Sequence, residues 1–177
     1  MSDGRTIVVG NGGIVTNPDF DRVKLNLATM EPSLAYVDAL TGDVLERVVL
    51  PPSLHQLSIR HMAEAGDGSI WFGGQYEGPG TDPVDLVGRH RRGETATLVA
   101  APRAAYGGMR QYVGAMAVSG DGQRVAATSP VGGQVMVFDA TTRDLLVTRA
   151  VADVCGIAGD GREFFSSDGR GRLWRGE

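Results

Sequence analysis

The chain has 177 residues, with 17 Lys and Arg against 21 Asp and Glu, a formal charge of −4 and a single cysteine. Its 26 glycines and 8 prolines leave little room for long helices and suit short strands joined by tight turns, so an all-β fold is expected. The acidic balance argues against nucleic acid as a partner, no stretch approaches the ~20 apolar residues of a membrane-spanning helix, and a lone cysteine makes no internal disulfide.

In chain order, the first signal is Asp3-Gly4 ahead of RTIVVG. Asp-Gly marks a hairpin because both residues tolerate the positive φ of a type I′ turn. A long segment, GNGGIVTNPDFDRVKLNLATMEP, separates that strand from SLAYVDALTGD, which leads into VLERVVLPP. The next strand, LHQLSIRHMA, reaches Asp67-Gly68 and SIWFGG. GQYEGPGTDPVD then bridges to DLVGRHRRGE and TATLVAAP. After APRAAYGGMRQ the order recurs as YVGAMAVSG, Asp121-Gly122, QRVAAT, QVMVFDATTRD and LLVTRAVAD, and recurs once more as VCGIAG, Asp160-Gly161, REFFSS and GRLWRGE.

Each unit reads as four strands over roughly 40 to 60 residues, the size of a propeller blade. The expectation is a partial β-propeller of about three and a half four-stranded antiparallel blades in one domain, with boundaries near 1–52, 53–103, 104–153 and 154–177. The first blade would lack its first strand and the last blade its fourth. A partial ring leaves open blade faces, which favour self-association. A β-sandwich of similar strand count is the alternative, but it does not explain the recurrence of Asp-Gly at one step of each unit.

SIWFGG and QVMVF are apolar on both faces, as strands packed between neighbouring sheets should be. Trp71, Phe72, Phe138, Phe164, Phe165 and Trp174 therefore read as packing between blades, and Cys155 as part of a buried strand. The basic run Arg89-His90-Arg91-Arg92 reads as a solvated hairpin end.

Connections at one end of the units are terse, whereas those at the other include the three long segments. Long ordered loops tend to be kept where they bind something, so the long-loop end is the expected functional face. There the first loop carries Asn11, Lys24 and Asn26 and the second Gln75, Tyr76 and Glu77. The strand HQLSIRH places Gln56, Ser58 and Arg60 on one side and His55, Leu57, Ile59 and His61 on the other. Arg60 must meet an internal carboxylate such as Glu77 or a ligand anion, while His61 shares its side with apolar neighbours. Three dispersed histidines and one cysteine give no metal-ligand spacing, the Gly-rich first loop lacks the helix and Gly-Lys-Ser/Thr of a phosphate loop, and no catalytic set is assigned.

The runs NGGI, KLNL, QLSIRH and QYEG, together with the segments around them, resemble a bacterial domain-of-unknown-function family, family 1513. The resemblance spans nearly the whole chain and matches the C-terminal half of the family pattern. It implies periplasmic, propeller-like proteins that carry a twin-arginine export signal and are often encoded beside imelysin-type iron-uptake and di-haem peroxidase-like proteins. The chain itself opens with MSDGRTIVVG, which has no export signal and as written would leave it in the cytoplasm. The expected function is a non-catalytic module binding a small ligand or a protein partner in iron uptake or redox handling, with the cofactor unknown. The alternatives are a propeller enzyme, an oxidoreductase or lyase acting at Arg60, His61, Tyr76 and Glu77, and a truncated product without independent function.

Overall fold

A computed structural model of the protein describes residues 1–21, 23–80 and 83–176, the side chain of Phe20 excepted. Arg22 of the first long loop and Thr81 and Asp82 of the second lie outside the described residues.

The described chain is all-β apart from one short helix and three single 3-10 turns. It forms four antiparallel sheets, each with its strands in chain order. The first holds β1 (Thr6–Asn11), β2 (Ser33–Asp38) and β3 (Val44–Val49), and the second β4 (Leu57–Glu64), β5 (Ile70–Tyr76), β6 (Val87–His90) and β7 (Thr97–Leu98). The third holds β8 (Ala115–Val118), β9 (Arg124–Ser129), β10 (Gln134–Asp139) and β11 (Leu145–Ala150), and the fourth β12 (Val154–Asp160), β13 (Glu163–Asp168) and β14 (Leu173–Gly176). Consecutive sheets meet along their leading strands: β1 lies against β4, β4 against β8 and β8 against β12. The strands that follow the four Asp-Gly turns all pair antiparallel within their own sheets, as their turns imply.

The turn chemistry differs from the expected type I′. In each Asp-Gly pair only the glycine has positive φ, at 66°, 77°, 74° and 54° for Gly4, Gly68, Gly122 and Gly161. Three of the aspartates, Asp3, Asp67 and Asp121, serve as side-chain acceptors within their turns instead. Asp67 Oδ1 takes the Ser69 backbone N–H at 3.0 Å and its hydroxyl at 2.6 Å, and Asp121 Oδ1 takes the Gln123 N–H at 3.1 Å. Gly68 N–H donates to Ala65 O and Ala65 N–H to Ser69 O, which closes a type I turn followed by a left-handed glycine. The turns also bond to one another. Gly66 N–H donates to Gly122 O at 3.3 Å, and Asp121 N–H to Gly161 O at 2.9 Å.

One apolar core runs through the first three sheets, with Leu34, Tyr36, Ile59, Phe72, Met136 and Phe138 among its buried members. Trp71 and Phe138 meet across the second and third sheets, ring centres 5.8 Å apart. A smaller core, Ala126, Val135, Val137, Val154 and Phe164, joins the third sheet to the fourth.

Three local expectations are corrected. Phe165 is 42% exposed, because the alternation that buries Phe164 turns its neighbour outward. Cys155 is exposed as well, since the β12–β13 register shifts between Val154 and Gly156 and lifts the residue between them out of the ladder. His90, placed by its neighbours in a solvated run, is buried at the end of β6. Its Nδ1 lies 2.7 Å from the Tyr36 hydroxyl and its Nε2 2.9 Å from the Glu94 carbonyl.

Candidate functional site

The long connections converge on an open cleft of about 1070 Å³. Its walls come from the end of β1 and the loop after it, from the start of β4 and the end of β5, and from the segment Arg110–Tyr112 that precedes β8.

The first loop is held down by its small residues and by Asn26. A Cβ on Gly12 would stand 2.6 Å from Ser58 Oγ, so only glycine lets this backbone lie on β4. Asn26 staples the loop to itself, accepting the Val15 N–H at 2.7 Å and donating to Gly13 O at 2.9 Å. An isolated bridge between Thr16 and Lys24 then brings Lys24 to the cleft wall.

Arg60 stands at a bulge. The register steps from Ile59 opposite Gly74 to His61 opposite Gly73, which leaves Arg60 unpaired in the ladder. Strict alternation therefore fails along this strand. Ile59 and Met62, three residues apart, both approach the space above Gly10, so His61 lies on the side away from Ile59 instead of sharing it. His61 is half-buried outside the cleft lining, and burial, with Arg60 beside it, lowers its pKa.

The Glu77 side chain, 4% exposed, gathers the cations of two elements. Its Oε1 lies 3.5 Å from Arg60 Nη2, and its Oε2 pairs with Lys24 Nζ. Arg60 and Glu77, linked in the sequence only by the need to compensate a charge, are thus direct partners. The carboxylate ties the first loop to β4, and both of its oxygens are engaged.

Of the residues singled out in the sequence, Lys24, Arg60, Gln75 and Tyr76 line the cleft, and Glu77 pairs with two of them. Asn11 is exposed at the end of β1 and donates to Ser33 Oγ, away from the lining. Gln56 falls before β4 instead of on it, and serves the loops: its carbonyl accepts the Glu77 N–H and its amide donates to Leu27 O.

Sequence reasoning missed Ser58 as a lining residue and the whole of Arg110, Gln111 and Tyr112. These three follow helix α1 (Arg103–Gly108), itself unanticipated within APRAAYGGMRQ. Arg110 and Gln111 both take left-handed φ, 47° and 61°, without being glycine. Gln111 O accepts the Tyr76 N–H at 2.9 Å, and Val113 N–H donates to Gly74 O at 3.1 Å, so the strained turn is anchored to β5. Nothing in the local sequence marks such a turn beyond its place in a long loop.

Among the described residues no cluster of His, Cys, Asp and Glu could hold a metal ion, and no helix is long and apolar enough to cross a membrane.

No curated protein matches the chain. The family described as protein of unknown function DUF1513 matches residues 1–177, and the chain belongs to that family.

Proposed function

We propose that this chain is a non-catalytic binding module built from propeller-type blades, and that it takes a small ligand in the cleft at the long-loop end. The blade reading is supported by four sheets in chain order that meet along their leading strands. The observation that carries the binding reading is the cleft itself, about 1070 Å³ and walled by stretches of chain from residues 10 to 131. Arg60, Lys24, Gln75 and Tyr76 are its polar contacts, and the Asn26 and Glu77 interactions fix the loop that forms one wall.

Binding is favoured over acid–base chemistry by two details. His61 lies outside the lining, and each oxygen of Glu77 is already held by a cation. Family resemblance adds the setting, periplasmic iron uptake or redox handling, in which such a ligand would be met.

The test is a thermal-shift screen of sugars, amino acids, organic acids, nucleotides and short peptides against the protein and a cleft-filling variant, Gln75→Trp. A ligand that binds the folded state raises the melting temperature in proportion to RT ln(1 + [L]/Kd), and that rise should vanish in the variant. If no compound shifts the melt, or if every shift persists in Gln75→Trp, the cleft is not the site.

A further inference from the structure

We infer that the cleft selects a compact multivalent oxyanion, a carboxylate or phosphate ligand, and that Arg110 is its principal contact. The inference rests on the binding reading above and names the ligand class.

Charge is the first ground. In a chain with 21 acidic and 17 basic residues, the described lining of this cleft holds three cations, Lys24, Arg60 and Arg110, and no Asp or Glu. Lys24 and Arg60 share one carboxylate, that of Glu77. Arg110 has no ion pair among the described residues, and its backbone N–H donates to Gly107 O at 3.2 Å. Among the described residues, two positive charges are therefore left over at one concave surface of an otherwise acidic molecule. A cleft of that sign concentrates anions and disfavours free cations.

Backbone geometry is the second ground. Two consecutive non-glycine residues in the left-handed region are unfavourable, and they persist only where the surroundings hold them. Here the hold consists of bonds from Tyr76 N–H, Tyr112 N–H and Val113 N–H on either side of the turn, and its result is to put Arg110 and Gln111 on the cleft wall.

A third ground is the supply of neutral donors. The Ser58 hydroxyl has no hydrogen-bond partner among the described residues, but it lies without exposed surface beneath the Gly12 backbone, so a ligand reaches it only if that backbone shifts. Gln75 and Tyr112, both lining residues, add an amide and a hydroxyl that suit the remaining lone pairs of an oxyanion. Guanidinium groups bind carboxylate and phosphate through paired N–H bonds, which a neutral sugar cannot reciprocate with charge.

Glu77 gives the inference a distinctive signature. As the internal partner of Arg60 and Lys24 it competes with any anion for them, so removing its charge should tighten anion binding, whereas removing Arg110 should weaken it.

Isothermal titration at constant ionic strength, with pyrophosphate, tricarballylate and glucose as probes, tests this on the wild type, Arg110→Gln and Glu77→Gln, each confirmed to melt cooperatively. The expected result is that at least one anion binds and glucose does not, with affinity about tenfold weaker in Arg110→Gln, a few-fold tighter in Glu77→Gln, and falling with added salt. Which anion binds better distinguishes phosphate from carboxylate. Failure of both anions, an unchanged affinity in Arg110→Gln, or weaker binding in Glu77→Gln would overturn the assignment. If a neutral compound from the screen binds in the cleft while both anions fail, the binding module stands and the oxyanion does not. If nothing binds, both readings fall.

Discussion

The Tyr36 hydroxyl and His90 Nδ1, 54 residues apart in sequence, lie 2.7 Å from each other in the buried contact between the first two sheets. His90 Nε2 faces two acceptors, the Glu94 carbonyl and Glu46 Oε1 at 3.6 Å, so the neutral ring holds its proton on Nε2 and accepts that of Tyr36 at Nδ1. Burial, with Glu46 nearby, raises the Tyr36 pKa to about 12, which keeps the hydroxyl a donor. Tyr36→Phe leaves Nδ1 buried without a partner and should cost about 1–3 kcal/mol, read as a lower denaturation midpoint at unchanged slope. An unchanged midpoint would mean that this bond contributes nothing to holding the two sheets together.

Gly88 on β6 faces the ring of Phe72 so closely that a Cβ there would stand 2.2 Å from it. Phe72 is fully buried and has nowhere to move. Gly88→Ala should therefore destabilise by about 1–3 kcal/mol through overpacking, and Phe72→Leu in the same chain should recover part of the loss. A melting temperature indifferent to Gly88→Ala would show that the ring is not so confined.

Asp67 offers a pH test. Burial pushes its carboxyl up, but the Ser69 donors and the Arg89 guanidinium outweigh that and bring it to about 2, below the usual 3.8. A carboxyl whose pKa is lower in the folded state stabilises above pH 3.8, and the stabilisation is lost as pH falls through about 2. Since the side chain is partly solvated, the contribution is discounted to about 1 kcal/mol. Asp67→Asn should be less stable than wild type by that amount at pH 7, and the gap should close near pH 2; a gap constant with pH would point to lost hydrogen bonds alone.

His61 runs the other way. Burial, and then Arg60, lower its pKa from 6.5, so the folded protein resists the proton that the unfolded chain accepts. Its contribution is complete above pH 6.5 and lost as pH falls below it. His61→Gln should flatten the acid side of the stability profile between pH 7 and 5 in urea titrations. A profile as steep as wild type's would place that acid sensitivity elsewhere.

The strands were legible because each is bracketed by turn residues and several, such as β5 and β10, are apolar on both faces. Arg60 and Glu77 could be linked from charge alone, since a guanidinium at the edge of the core needs compensation. The bulge at Arg60 could not be read, because one unpaired residue in a ladder leaves no compositional trace, and it reversed the side of His61. Arg110 escaped notice for a related reason: its importance lies in a backbone conformation that no glycine announces. His90 was misjudged because its partner Tyr36 belongs to another sheet, and local polarity carries no record of a contact so distant in sequence.

The bonds from Gly66 to Gly122 and from Asp121 to Gly161 join the tips of three hairpins that share no strand. At the opposite end the loops meet around open space, so the molecule is laced along one rim and parted along the other. Small relative tilts of the sheets would then pivot about the laced rim and appear as changes in the width of the cleft. A substitution at a hairpin tip, remote from every cleft residue, would alter how far the cleft opens before it altered what the cleft recognises.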